Sequence, residues 1–208
     1  MFALVDKSDN SITRMLNGNR GITLGDNQYP KAIFTLWTEA ERNAINIYTV
    51  EMDNSKKKNE EWYNNTNITY SFDGSKVTGS YGDATAKAHA DTLYTSQDKT
   101  DGKIPADKDV GDVKVEGLKT VLIRNVKAQA AGELSKTDWY ITRKTEKDTA
   151  IPSAVSTHRD AVRSKQASME TSITNASDTP ALETLYTYTE QEDGSTARPL
   201  GEIPVKEF

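Results

Sequence analysis

Hydrophobic residues change period along the chain near residue 113, and that change divides it. Up to about residue 94 they alternate in short runs broken by Gly, Asn and Asp, the pattern of half-buried strands joined by turns. "FALV", "DKSDN" and "SITRML" read as strand, turn and strand, and "NGNRG" supplies a further turn. In "NITYSFDGSKVTGSYG" the pair Asp73 and Gly74 suits a two-residue type I′ turn. That register sets Phe72 opposite Ser75, Tyr70 opposite Val77 and Ile68 opposite Gly79, with Ile68, Tyr70, Phe72 and Val77 on one face. Between these hairpins Thr38 and Glu41 have capping-box spacing before a short helix, with Leu36 and Trp37 just upstream. Asn46 suits the left-handed end of that helix, and "IYTV" returns to strand.

From Val113 onward the period is helical. Leu118, Val121, Leu122, Val126 and Ala130 recur at three and four, predicting a helix that ends near Gly132 or Leu134. A second helix opens at Ile151, Pro152 and Ser153, carries Val155, His158, Val162, Met169 and Ile173 near one side, and closes at "NASDTP". Thr179 and Pro180 predict the N-cap and first residue of a short helix through "ALETLY", followed by a turn and an extended tail. The segment "TSQDKTDGKIPADKDVGD", residues 95 to 112, has almost no apolar residue and reads as a linker. A calcium loop beginning at Asp98 is the poorer alternative, because its ligand positions would fall on Thr100 and Gly102.

The expected fold is therefore α+β: a β-rich N-terminal domain (1–94), an acidic linker (95–112), a helical-hairpin domain (113–178), and a short helix with an extended C-terminal tail (179–208).

Composition thins the core of such a chain. Of 208 residues 35% are hydrophobic and 27% charged, and the mean hydropathy is -0.71, so part of the stability is expected from a partner or from self-association. The net charge of -5 comes from 31 acidic against 26 basic residues, and Lys56 to Lys58 is the only basic run, which argues against a nucleic-acid partner. The chain has no cysteine, which removes disulfides, thiolate metal sites and thiol nucleophiles. The first residues lack the form of a signal peptide and no apolar run reaches bilayer length, so a soluble compartment and no membrane partner are expected.

Catalytic chemistry has few places to reside. His89 and His158 are the only histidines; His89 reads as a solvated position and His158 as a packing residue on the apolar side of its helix. There is no GxSxG, HExxH, Walker A or GxGxxG pattern, and carboxylate pairs such as Glu60 with Glu61 or Glu190 with Glu192 read as solvated faces. No enzyme activity, cofactor or metal is expected. Three tryptophans, Trp37, Trp62 and Trp139, stand beside capping or charged residues and read as anchors that close a small core or interface. In "TDWY", Thr137 or Asp138 is expected to cap a helical turn, Trp139 to fill a bend between helices, and Arg143, four residues on, to cover the indole.

Those residues also carry a resemblance. "RNVKAQAAGELSKTDWYITRKTE" followed by "IPSAVSTHRDAVR" resembles the C-terminal pattern of tailed-bacteriophage tail proteins and tail fibre assembly proteins, with Arg124, Thr137, Asp138, Trp139, Arg159 and Arg163 at the matching positions. "YPKAIFTLWTEAERNAINIYTV" and "YGDATAK" look like an N-terminal module of marine tailed phages. The resemblance implies a non-enzymatic structural component of the virion tail, in the fibre, baseplate or adaptor region, made in the bacterial host cytoplasm. Its partners would be other tail proteins and further copies of itself. The attachment or packing anchors would be Trp37, Trp62, Trp139, Tyr140, Arg143, Arg159 and Arg163. Two alternatives accompany this reading: a fibre assembly chaperone absent from the mature particle, and a receptor module stacking Trp62, Tyr63 and Tyr70 on host surface glycans.

Overall fold

The computed structural model describes residues 1–208. The chain is mixed α+β, β-rich in its N-terminal part and helical in its C-terminal part. It divides into two compact units, 1–85 and 86–208.

In the first unit β1 (Phe2–Asp6) and β2 (Ser11–Leu16) form the expected antiparallel hairpin, with a register shift between Leu4 and Val5. A small hairpin follows, β3 (Ile22–Leu24) with β4 (Asn27–Tyr29), then α1 (Ile33–Leu36), α2 (Glu39–Ala44) and β5 (Ile47–Asp53). The unit is completed by β6 (Tyr63–Asn64), β7 (Thr69–Phe72) and β8 (Val77–Ser80), with β9 (Thr85–Ala86) at its boundary. The main sheet has the order β2-β1-β5-β8-β7; only β5 and β8 are parallel, and the outer strands β2 and β7 approach each other so that the sheet is nearly closed.

The sequence "FALV" has no polar residue because β1 is covered on both faces. Ala3 and Val5 point to the concave side with Tyr48, Phe72 and Val77. Phe2 and Leu4 point outward and are covered by Ile22, Ile33, Phe34 and Ile47. The Thr38–Glu41 capping box is present in full, and Asn46 is left-handed with φ 62°. The Asp73–Gly74 turn is longer than expected: Phe72 faces Val77 and Tyr70 faces Gly79, leaving a four-residue loop. The Asp73 carboxylate explains the difference, because its Oδ1 accepts from the Ser75 hydroxyl and from the backbone N–H groups of Ser75 and Lys76, closing the wider loop together with the Asp73 N–H bond to Lys76 O at 3.2 Å.

The second unit starts earlier than the sequence implied. Residues 95 to 112, expected as a linker, belong to this compact unit and carry structure. A second capping box, Thr95 with Asp98, opens α3 (Ser96–Thr100), and β10 (Thr92–Leu93) pairs with β11 (Val113–Val115) across the segment. The Lys114 ammonium, 2.6 Å from Asp98, is the largest cause holding that carboxyl well below its ordinary range. Charge pairing and capping thus order a stretch that is poor in apolar residues.

Then come α4 (Leu118–Ser135), α5 (Asp138–Lys147), α6 (Ser153–Asn175), α7 (Thr179–Tyr186) and a terminal hairpin of β12 (Thr189–Glu190) and β13 (Thr196–Ala197). Helix α4 packs on α6 and α6 on α7. Leu122, Val126 and Ala130 of α4, Val155, Val162, Met169 and Ile173 of α6, Leu182 of α7, and Leu200 with Ile203 are buried. Each large aliphatic among them contributes about 1.5–3 kcal/mol relative to exposure. The cap of α7 lies one residue before the expected one: Asp178 accepts from Ala181 N–H, and the Thr179 hydroxyl instead donates to Lys87 O at 2.6 Å. No helix is long and apolar enough to cross a membrane.

Candidate functional site

The buried stripe of α4 runs through Leu122, Val126 and Ala130, and at the same helical spacing its next members are Glu133 and, past the helix end, Thr137. Two polar side chains thus lie on a core face. The matching stripe of α6 carries His158 and Arg159 between Val155 and Val162. Buried polar groups need partners, and these four find most of theirs in one another, in the tail and in Leu134, Lys136 and Asp138, while Arg159 Nε is left without one.

Glu133, 6% exposed, is the hub of one half. Its Oε1 accepts from His158 Nε2 at 2.9 Å and from the Lys206 backbone N–H at 3.0 Å, while Oε2 pairs with the Lys136 ammonium at 2.7 Å. The Phe208 ring packs on His158 with centroids 5.3 Å apart. These donors lower the Glu133 pKa to about 2, Lys136 first, against the opposing effect of burial. Because the folded value lies below the ordinary 4.5, the stabilisation is fully present above about pH 4.5 and is lost as pH falls through about 2. Thermal melts followed by helical circular dichroism should therefore fall steeply over that window, and Glu133→Gln should flatten the acid limb while lowering stability at pH 7.

Arg159 is the hub of the other half. One guanidinium nitrogen reaches Leu134 O at 2.7 Å, Thr137 Oγ1 at 2.7 Å and Asp138 Oδ1 at 2.9 Å. The Thr137 hydroxyl accepts from Arg159 and itself donates to Leu134 O at 3.0 Å. Neither Thr137 nor Asp138 caps α5 in the expected way; both are spent on Arg159, which fixes the joint between α4 and α5.

That joint determines where "WY" points. Trp139 is 52% exposed, so it does not fill a bend as expected. Its indole stacks on Tyr140 with centroids 3.8 Å apart and planes at 32°. Arg143 covers both rings, 4.7 Å from Trp139 and 5.3 Å from Tyr140, as its spacing predicted. Trp139 is exposed because Thr137, only 1% exposed, takes the inward position, and two residues further along α5 the chain has turned away from the core. Ile141, elsewhere on the same helix, is 39% exposed, and Lys144 and Lys147 stand in the last turn of α5.

The remaining expected anchors divide. Trp62 is buried in the first unit, and Trp37 is partly buried there, edge-on to Tyr29 at 5.8 Å. Arg163 lies on the solvent side of α6 beside Asp160, at 3.3 Å, and takes no part in the joint. Arg124 is held by Glu116 through two bonds of 2.8 Å. Tyr63 is buried, which removes it from any exposed stacking surface with Tyr70. Sequence reading missed Glu133, Lys136, Lys206 and Phe208; for Glu133 the signal was present, a carboxylate continuing the apolar stripe of α4.

No three His, Asp or Glu side chains converge as a metal ion would require. Compared with known proteins, the chain matches no family model, no curated protein and no solved structure.

Proposed function

We propose that this protein is a non-enzymatic structural component of a phage tail, in the fibre, baseplate or adaptor region, and that it acts by attaching to neighbouring tail subunits. In this reading α4, α5 and α6 form a hairpin whose bend displays the attachment surface. One observation supports it above the others. Four of the motif residues, Thr137, Asp138, Trp139 and Arg159, form a single device in which a buried guanidinium sets a short helix so that an aromatic pair faces outward under Arg143. A pre-stacked Trp–Tyr–Arg surface is the composition of an interface centre: large apolar area, little side-chain freedom left to lose, and a cation for a partner carbonyl or carboxylate.

The mutation that separates display from packing is Trp139→Ala. Because the ring is exposed, stability should change by less than about 0.5 kcal/mol, while incorporation into particles should fall to background. Mass spectrometry of purified, salt-washed particles should find the wild-type chain at a fixed ratio to the tail proteins. Abundance in infected-cell lysate with absence from intact particles would replace this reading by that of an assembly chaperone.

A further inference from the structure

Of the eight arginines in the chain, six are engaged within the protein. Arg42 bonds the Trp37 carbonyl, Arg124, Arg159, Arg163 and Arg198 pair with carboxylates, and Arg143 lies on two aromatic rings. Arg14 and Arg20 have no such partner, and both line the same cleft of the first unit, about 660 Å³ in volume. No Asp or Glu lines that cleft, in a chain with 31 of them. Two guanidinium groups left without counter-charges in an otherwise acidic protein create a local positive field suited to an anion.

The rest of the cleft narrows the kind of anion. Asn17 and Asn19 bring side-chain amides to its wall, and Ile22 and Phe34, both largely buried, form an apolar floor. The loop that carries the polar groups is seated firmly. The Asn19 backbone N–H donates to Asn17 Oδ1 at 3.0 Å. Gly18 has φ +70°, and a Cβ there would lie 3.2 Å from the Phe2 ring and 3.3 Å from Phe34. A Cβ on Gly21 would come within 2.5 Å of Tyr29 O. The loop therefore lies against the core beneath it, and its amides and guanidinium are presented without a large ordering cost.

We propose that this cleft binds an anionic saccharide, a sugar bearing a carboxylate or a phosphate. The planar fork of a guanidinium matches either oxyanion with two parallel hydrogen bonds. Amides serve the hydroxyls, and the floor of Phe34 and Ile22 receives the C–H face of the ring. The volume lies within the range of small-molecule sites. The inference does not depend on the tail-attachment reading, since it uses residues of the other unit.

Titration calorimetry of the full chain with glucuronate, glucose 6-phosphate, glucose and inorganic phosphate tests it. One or both charged sugars should bind, at least about tenfold more tightly than glucose and than phosphate alone. Arg14→Ala and Arg20→Ala should each weaken that binding about tenfold or more, the loss of a charge-assisted hydrogen-bond pair. Both side chains are exposed, so the thermal melt should be unchanged, and Trp139→Ala should bind as wild type does. The proposal is overturned if neither charged sugar binds, if glucose or inorganic phosphate binds as well as they do, or if the double arginine variant retains full affinity.

Discussion

Arg159→Ala should destabilise the 86–208 unit by about 3–5 kcal/mol, the usual cost of breaking a buried charged cluster by removing one partner. Arg159 is 7% exposed and its guanidinium serves three acceptors, of which Thr137 is itself only 1% exposed. Alanine leaves that hydroxyl without a donor, the Leu134 carbonyl with one donor fewer, and a hole where the guanidinium lay. Arg159→Lys keeps the charge but not the planar fork, so it should recover only part of the loss. Urea denaturation followed by helical circular dichroism measures both. The rings of Trp139 and Tyr140 should also lose their fixed direction, visible as a weaker near-ultraviolet aromatic signal, because the joint that holds α5 is gone.

Gly117→Ala should cost about 1–3 kcal/mol or more, through overpacking against backbone that has no route of escape. The φ of Gly117 is -84°, which any residue adopts, so the requirement for glycine is steric. A methyl group there would fall on the Ala90 carbonyl and within 2.8 Å of Asp91 N. That contact is how α4 is started. Its N-cap offers no side chain, so the free N–H groups of Leu118 and Lys119 donate to Ala88 O and His89 O, and Asp91 accepts from Gly117 N–H and from the Thr120 hydroxyl. Displacing residues 88–91 would uncap the helix as well as crowd it. Gly132→Ala, at a helical position where a Cβ meets nothing, is the control and should be neutral or slightly stabilising. Paired thermal melts of the two variants check this.

What was readable in the sequence was mostly what is decided locally. Thr38 and Glu41 satisfy each other within one turn, and Asn46 takes its left-handed place for reasons of its own side chain, so both could be placed in advance. Where two neighbours compete for one role, a distant group decides. Asp178 and Thr179 are both good caps, and Thr179 lost the role because Lys87 O claims its hydroxyl. Residues 95 to 112 looked unstructured since reading by hydrophobicity counts only apolar burial, whereas Asp98 and Lys114 hold the segment by charge and hydrogen bonding. Trp139 was misplaced because a tryptophan in a thin-cored chain is expected inside, and nothing within "TDWY" reveals that Arg159 occupies the inward side. The cleft of Arg14 and Arg20 was invisible for a related reason: what marks it is the absence of partners, and partners are a property of the fold.

The bond between Glu133 and the Lys206 N–H has a consequence for the order of events in synthesis. The two residues are separated by 73 positions, so at a ribosomal rate of about 5–20 residues per second roughly 4–15 s pass between them. Until that interval has passed the Glu133 carboxylate is short of one donor, and the Phe208 ring that packs on His158 has not been made. The helical half therefore cannot reach its final packing while Lys206 and Phe208 remain inside the exit tunnel. A nascent chain paused before Leu200 leaves Glu133 without the Lys206 N–H and His158 without the Phe208 ring, and the segment from Leu200 to Phe208 completes that packing.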